Sequence, residues 1–315
     1  MIDPAATQRF TRDLAGLLPN PTGRIGLAIS GGPDSLALLL LAKASLPDIV
    51  AATVDHGLRP EAADEASFVA QICADLSVDH SILTLTNRPV GNPSSWARQA
   101  RYQALDDWGT AKNIRWLLTA HHADDQLETL LMRLNRGSGV AGLAGIRPQN
   151  KAVARPLLNW RKAELEALVA QAGLHAVEDP SNRDARYDRA RMRAALAKAD
   201  WLDPLAAVRS AAALASADAA LEWTTQQLFD QRADKGTDRI TLDIAGLPYE
   251  LQRRLLIACL QALNPAADPR DDEVLRLLAS LNTGKTATLA GIKCSGGAQW
   301  TFQPAPPPRT ISRNS

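Results

Sequence analysis

The stretch that decides the fold is IGLAISGGPDSLALLLLA, residues 25–42. Its apolar first part, Ile25–Ile29, predicts a buried strand, and its apolar last part, Leu36–Ala42, predicts a helix. The loop between them has two glycines, which let the backbone turn sharply, and a proline that suits the first turn of a helix. Free N–H groups at such a helix start bind anions. The candidate phosphate ligands are Ser30, Gly31, Gly32, Pro33, Asp34 and Ser35.

Asp34 is the unexpected member of this loop, because a carboxylate repels a phosphate unless a cation lies between them. Mg²⁺ is the natural bridge, since it is usually held by one or two carboxylates together with substrate phosphates. The sequence therefore predicts a nucleotide phosphate site with Asp34 as a metal ligand. The loop has neither the Gly-Lys-Ser/Thr end of a Walker loop nor the GxGxxG pattern of dinucleotide folds. A strand-to-helix turn without a ligand is the alternative.

Strands and helices alternate at short intervals around this loop. The alternation predicts an α/β fold with a doubly wound, mostly parallel sheet and helices on both faces. Predicted strands cover residues 25–29, 48–54, 79–85 and 115–119, and predicted helices cover residues 5–18, 61–76, 93–112 and 123–134. We place a domain boundary near residue 200. Residues 201–303 are predicted to form a smaller, mainly helical domain with a short hairpin, and residues 304–315 a frayed tail.

Composition excludes several classes of protein. The chain has 315 residues, 46% of them apolar, and no run of about 18 apolar residues that predicts a membrane span. Met1–Pro4 has neither a basic start nor an apolar core, so we expect no secretory signal. The three cysteines are far apart and support no zinc, iron–sulfur or disulfide framework, which favours a reducing cytoplasm. With a net charge of only +1, any RNA contact must rest on local basic patches.

Three polar clusters follow predicted strands, namely Ser30–Ser35, Asp55–Arg59 and His121–Asp125. In doubly wound sheets, ligands bind outside the carboxyl ends of the strands, where the strand order reverses. We therefore expect the three clusters to border one nucleotide site. His56, at the end of the second strand, is a candidate for the ribose or adenine; a surface loop is the alternative.

Asp125 and Glu128 are three residues apart and share one face of a predicted helix. Two acids together can hold a divalent ion or an ammonium group, and can take a proton from an attacking amine. Capping of the helix N-terminus is the alternative. The neighbouring histidines suggest a metal cluster, but without soft ligands elsewhere Mg²⁺ is favoured over zinc.

Arginines mark two further candidate contacts with phosphate or RNA. Arg98 and Arg101 share a helical face and can bind phosphates, with an exposed basic face as the alternative. Residues 178–193 form a candidate RNA patch, although acids among them also allow a solvated helix with internal ion pairs. Its candidate ligands are Arg183, Arg186, Arg189 and Arg193. Arg136 and Gly137, candidate contacts to the substrate tRNA, open a glycine-rich run, residues 137–145, that predicts either a mobile loop or close contact between its backbone and a ligand.

Together these motifs resemble those of the tRNA(Ile)-lysidine synthetases, a family of PP-loop ATP pyrophosphatases with a Rossmann-like sheet. The matches span residues 24–193, and the HHADDQLET and EDPSN segments are the most specific. Ala190 is a departure, because the family usually has Asn there.

The resemblance implies a ligase that uses ATP, Mg²⁺, free L-lysine and tRNA(Ile) with the anticodon CAU. ATP adenylates the C2 oxygen of the wobble cytidine with release of pyrophosphate, and the lysine ε-amino group then attacks C2 and expels AMP. It implies that the loop with Asp34 holds the pyrophosphate, that Asp125 and Glu128 bind and deprotonate the amine, and that Arg98 or Arg101 stabilises charge. The oligomeric state stays open, with a homodimer as one alternative.

Two other functions remain alternatives. Another PP-loop tRNA-modifying enzyme is one, although a thiolase usually needs paired cysteines, and an amidotransferase needs a glutaminase module for which this chain has no space. The other is a nucleotide-binding regulator without catalysis, against which the paired acids Asp125 and Glu128 argue.

Overall fold

The computed structural model describes residues 2–18, 23–57, 61–85, 93–177 and 188–306. The chain divides into two compact units, Met1–Ala215 and Ser216–Ser315. Residue 200, where the sequence predicts a boundary, lies between the helices Asp188–Leu196 and Pro204–Arg232.

The first unit is built on a six-stranded sheet with the order β3-β2-β1-β4-β6-β5. All neighbouring strands are parallel except the pair β5 and β6, which is antiparallel. The mostly parallel sheet predicted from the sequence is thereby confirmed. Its strands are β1 (Ile25–Ala28), β2 (Ile49–Asp55), β3 (Asp79–Thr84), β4 (Trp116–Leu118), β5 (Gln149–Asn150) and β6 (Val153–Ala154).

Helices cover this sheet because its strands are apolar on both faces. Ile25 and Leu27 of β1 join one buried cluster, whereas Ala28 joins a second cluster with Leu105 and Trp108. Successive residues of a strand point to opposite faces, so a continuous apolar run needs cover on both sides. The helices of this unit are α1 (Pro4–Leu17), α2 (Pro33–Ser45), α3 (Glu61–Asp75), α4 (Pro93–Ala111), α5 (Ala123–Asn135), α6 (Val140–Leu143), α7 (Lys162–Gln171), α8 (Asp188–Leu196) and α9 (Pro204–Arg232), the last of which continues into the second unit.

Helix α2 is the most deeply buried of these elements. Its leucines 36, 38, 39 and 41 are fully buried. Full burial of one such side chain contributes about 1.5–3 kcal/mol. The helix start is therefore fixed against the sheet, and the loop before it is held at the end of β1.

The order of the strands creates a crevice between β1 and β4. From β1 the chain goes to β2 and β3 on one side, and then returns to pair β4 with the other side of β1. At such a reversal the following loops diverge and leave room for a ligand. The residues that follow β1 and β4 are Ser30–Ser35 and His121–Asp125, so two of the three predicted polar clusters border the crevice.

The second unit contains an antiparallel five-stranded sheet with the order β7-β8-β11-β10-β9. The hairpin predicted from the sequence is present as β10 and β11, and three more strands extend it. These pack on a core that includes Trp300 and Phe302. The elements are β7 (Ala233–Lys235), β8 (Ile240–Asp243), α10 (Tyr249–Leu263), α11 (Asp271–Asn282), β9 (Thr286–Leu289), β10 (Ile292–Ser295) and β11 (Gln299–Pro304).

Among the described residues, no helix has the length and apolarity needed to cross a membrane.

Candidate active site

The loop before α2 is closed by its own hydroxyl groups. Ser35 Oγ donates to the Gly32 carbonyl (2.9 Å) and accepts from the Ser30 N–H (3.1 Å) and the Ser30 hydroxyl (3.3 Å). Gly31 has φ +85°, a left-handed conformation that favours glycine. Gly32, which has no side chain to cap the helix, is the N-cap of α2, and Pro33 follows it. The serine bonds fix the loop, and the helix start faces the crevice with its N–H groups available to an anion.

Helix α5 begins at the other side of the crevice with a reciprocal cap. His122 Nδ1 accepts from the Asp125 N–H (3.3 Å), and Asp125 Oδ2 accepts from the His122 N–H (3.2 Å). Capping was the alternative to a ligand role for Asp125, and the structure shows that this residue does cap the helix. Its second oxygen, Oδ1, takes no part in the cap.

The His122 side chain connects the two sides of the crevice. Its Nε2 lies 3.4 Å from Asp34 Oδ2 and 3.4 Å from Asp125 Oδ2, and the side chain is 2% exposed. Burial opposes protonation, but the hydrogen bond with Asp34 and the charges of nearby aspartates raise the pKa of His122 above its ordinary value. Asp34 Oδ1 is buried and has no hydrogen-bond partner. The phosphate loop and the acids of α5 are thus one side chain apart.

Asp125 and Glu128 do face the same side of α5, as their spacing predicts, and two arginines of α8 bind them. Arg189 donates from Nε to Glu128 Oε2 (2.8 Å) and from Nη2 to Asp125 Oδ1 (3.0 Å). Arg193 donates from Nε to Glu128 Oε1 (2.6 Å) and from Nη2 to Asp125 Oδ1 (3.3 Å). Burial alone would raise the pKa of Asp125, but His122 and Arg189 hold it below the ordinary value. These two arginines thus pair with acids of another helix, whereas the alternative for the 178–193 segment placed the ion pairs within the segment itself.

His121, two residues after Thr119 of the β4 end, lies among both acidic and basic groups. Its Nδ1 lies 2.9 Å from the buried Thr119 hydroxyl at the end of β4. Burial lowers the pKa of His121 well below its ordinary value; Asp125 opposes this, and Arg155, Arg101 and Arg98 reinforce it. The imidazole is therefore neutral, and the guanidinium groups predicted on α4 lie near the end of β4. Arg98 also stacks on Tyr102, with 5.2 Å between the guanidinium carbon and the ring centre.

Asp124 has a different role from its neighbour Asp125. Its Oδ2 accepts from the Lys162 N–H (2.8 Å), and both of its oxygens bind the Arg161 guanidinium (3.3 Å each). These bonds tie the start of α5 to the start of α7. Of the two adjacent aspartates, only Asp125 is directed toward Glu128 and the crevice.

The glycine-rich run is held by side chains of α5. Gly137, with φ +70°, ends this helix: its N–H bonds to the Leu134 carbonyl, and the Ser138 N–H bonds to the Arg133 carbonyl. The buried Gln126 amide binds both backbone groups of Ile146, at 2.6 and 3.1 Å. Arg133 donates to the carbonyls of Gly142 and Gly145. The predicted substrate-contacting loop thus has fixed ends, while its contacts with substrate stay a prediction.

Other candidate residues are spread around this centre. Arg136 lies 3.4 Å from Asp188 Oδ2, with both side chains exposed. His56 follows β2, as predicted. Arg183 and Arg186 lie outside the described residues, as does Arg59.

Four residues at the site, Thr119, His122, Gln126 and Arg155, were not among the ligands predicted from the sequence, although His122 lies in the predicted cluster His121–Asp125. His122 directly precedes the first turn of α5, where a capping residue is expected. Arg155 is 7% exposed and its Nε has no hydrogen-bond partner. It follows β6, whose two residues carry too weak a pattern to predict a strand.

In the described parts of the chain, no three or more histidine, cysteine, aspartate and glutamate side chains are arranged to hold a metal ion. Phosphate oxygens of a nucleotide would add to the ligands of a cation at Asp34, as they commonly do for Mg²⁺.

The reversed strand order, the glycine-containing loop at the start of α2 and the polar crevice define a PP-loop nucleotide-binding domain. The PP-loop domain family matches residues 6–200. The tRNA(Ile)-lysidine synthase of Zymomonas mobilis is 41% identical over 308 residues, which cover 95% of this chain and 94% of that protein. The tRNA(Ile)-lysidine synthase of Novosphingobium aromaticivorans is 44% identical over 318 residues, which cover 98% and 96%. The chain belongs to the tRNA(Ile)-lysidine synthase family, as its motifs predict.

Among solved structures, a U34-tRNA thiolase from Methanococcus maripaludis with a [4Fe-4S] cluster is similar in fold. The TM-score is 0.56 at 19% identity, and the match covers 67% of this chain and 77% of that one. At this identity the likeness shows the fold alone.

Proposed function

We propose that this protein catalyses ATP-dependent formation of lysidine in tRNA(Ile) with the anticodon CAU, with lysine as the amine and AMP and pyrophosphate as products. The observation that carries the proposal is the position of His122, 3.4 Å from both Asp34 and Asp125. A phosphate-binding loop and an amine-binding acid pair need to be this close if one centre is both to activate a base and to deliver an amine to it. Membership of the lysidine synthase family supports the same reaction.

The first step requires groups that bind the pyrophosphate of ATP. The N–H groups at the start of α2 would bind it, and the serine bonds between Ser30 and Ser35 keep these groups in position before the nucleotide arrives. Asp34 fits a bound Mg²⁺, because its Oδ1 is buried without a partner. The ion, when bound, offsets charge on the phosphates. Arg98 and Arg101 supply further positive charge near the end of β4.

The second step needs a neutral amine. A free lysine ε-amino group has an ordinary pKa of about 10.4, so it arrives as an ammonium without a lone pair. Asp125 and Glu128 would bind its N–H groups and accept one proton. Neutral His121 beside them adds no charge that would repel the ammonium. The cytidine must leave its base stack before the amine can reach it. The loop of residues 137–145, whose ends are held by α5, would lie beside the unstacked cytidine.

The test is a pair of assays on the purified protein with a tRNA(Ile) transcript. Pyrophosphate release and incorporation of labelled lysine should both require the transcript, and both should fail with a control transcript that carries uridine instead of the wobble cytidine. Lysine-independent pyrophosphate release without any RNA product would contradict the proposal. A PP-loop enzyme with another chemistry would release pyrophosphate without incorporating lysine, and a regulator would bind ATP without release.

Light scattering distinguishes a monomer from the homodimer that the sequence left open. We expect the reaction in the cytoplasm, where tRNA and ATP are found.

A further inference from the structure

The acid pair that would bind the lysine amine is already occupied by protein cations. The four oxygen atoms of Asp125 and Glu128 each accept at least one hydrogen bond: Asp125 Oδ2 from the His122 N–H, and the other three from Arg189 and Arg193. Two carboxylates face two guanidinium groups, so their charges balance. An incoming ammonium would find no uncompensated charge there and would meet two like charges.

The arginines also form the solvent-facing side of this cluster. The acid side chains are only 12% and 6% exposed, whereas Arg189 is 41% and Arg193 is 32% exposed. A long side chain with an exposed head can reorient by rotation about its own bonds, while the acids are fixed on buried faces of α5. The arginines are therefore the partners that can leave.

Phosphate is the ligand that would attract them. Guanidinium groups bind phosphate oxygens in pairs, as they bind carboxylates, and such charge-assisted bonds are stronger than neutral ones. The loop with Asp34 and the acid pair share a neighbour, because His122 Nε2 lies 3.4 Å from both Asp34 and Asp125, and Arg193 Nη2 donates to Asp125 Oδ1 at 3.3 Å. A phosphate bound near the crevice is thus within reach of the cluster.

We propose that Arg189 and Arg193 form an exchangeable latch over the amine subsite, closed on Asp125 and Glu128 in the free protein and transferred to phosphate oxygens of the RNA or the nucleotide when these bind. The inference rests on the proposed function, because it assumes that the acid pair receives lysine. Its consequence is an order of binding: lysine enters after the phosphate-bearing substrates. If the RNA supplies the phosphate, the acid pair is not occupied by free lysine before there is a base to modify.

The test is equilibrium binding of radiolabelled lysine to the full-length protein. Wild type alone should bind lysine at least 10-fold more weakly than wild type with the tRNA(Ile) transcript, with a non-hydrolysable ATP analogue, or with both. Comparison of these three conditions identifies which substrate supplies the phosphate. The Arg189→Gln, Arg193→Gln double variant should bind lysine without RNA or nucleotide at least 10-fold more tightly than wild type.

Arg191→Gln is the matched control. Arg191 lies on the same helix, is 60% exposed and pairs with Asp188 rather than with the acids. This variant should bind lysine as wild type does. If the double variant does not fold, lysine binding is measured with the single variants Arg189→Gln and Arg193→Gln. Each of these keeps one arginine on the acids.

Equal lysine affinity of wild type with and without the phosphate-bearing substrates would overturn the latch. So would a folded double variant with no gain in affinity. The proposed function is tested separately, by measuring lysine incorporation by wild type in the complete reaction. If incorporation is normal and lysine binding is independent of RNA and nucleotide, only the latch is wrong.

Discussion

Replacement of Glu128 by glutamine tests the acid pair with the smallest change in shape. The carboxylate accepts from Arg189 Nε at 2.8 Å and from Arg193 Nε at 2.6 Å. An amide has only one oxygen for these two donors, and its NH₂ group must face the other. The change therefore removes one charge, one hydrogen bond and the general base together.

The expected loss of stability lies between two known limits. Exposed ion pairs contribute about 0.2–1 kcal/mol, and removal of one partner from a buried pair costs about 3–5 kcal/mol. Glu128 is 6% exposed but its partners are 41% and 32% exposed. We therefore expect a loss of about 2 kcal/mol in the free energy of unfolding, which corresponds to about 4–8 °C in Tm.

Lysine incorporation should fall much further than stability. Loss of a general base costs about 100- to 10,000-fold in rate. Incorporation is measured with labelled lysine at 25 °C, where the variant stays folded, and tRNA binding is measured by filter retention, where no loss is expected. Asp188→Asn is the control, because Asp188 is 58% exposed and should change stability by less than about 0.5 kcal/mol. Wild-type incorporation by folded Glu128→Gln would refute the assignment of Glu128 to the amine.

The other predictions concern the phosphate loop, the neutral histidine and the glycine-rich run. Asp34→Ala should reduce pyrophosphate release by about 100-fold or more with an unchanged circular dichroism spectrum, because the charge-offsetting cation loses its protein ligand; unchanged release would exclude that role. His121 is kept neutral mainly by burial, so the unfolded chain takes up a proton that the folded chain does not as the pH falls below about 6.5. Between pH 7.5 and pH 5, urea unfolding should therefore show a larger loss of stability for wild type than for His121→Gln, and equal losses would contradict this environment. Gly145→Ala should cost about 1–3 kcal/mol, since Gly145 has φ +65° and an added Cβ would collide with the Gln126 amide. Gly137→Ala, at φ +70° with open space around it, should cost only about 1 kcal/mol by the same assay.

The sequence predicted the elements that carry strong local patterns. The strands before and after α2 were predicted within one residue of their observed ends. The predicted helical run Leu36–Ala42 lies inside α2, which begins at Pro33 and extends three residues beyond Ala42. It missed β5 and β6, each of two residues, because such short strands owe their existence to neighbours rather than to their own pattern. It also missed α7, whose start is fixed by Asp124 from another helix.

For the site, the sequence predicted which acids share a helix face, but not which residues pair with them. The spacing of Asp125 and Glu128 was enough to place both on one face of α5. It could not show that Arg189 lies against them, because Arg189 is 61 residues from Glu128 along the chain. The pairing needs α8 to pack beside α5, which is a property of the folded unit.

The sequence by itself determined the phosphate loop, because the loop is made by neighbours along the chain. The hydrogen bonds of Ser35 within it join residues no more than five apart, although the Gly31 carbonyl also accepts from the Val177 N–H. Its free N–H groups follow from the start of a helix. Tertiary structure alone decided that β4 pairs with β1, that His122 links Asp34 to Asp125, and that arginines cover the acids. These depend on burial and charge summed over contacts between distant segments, and no local preference encodes them.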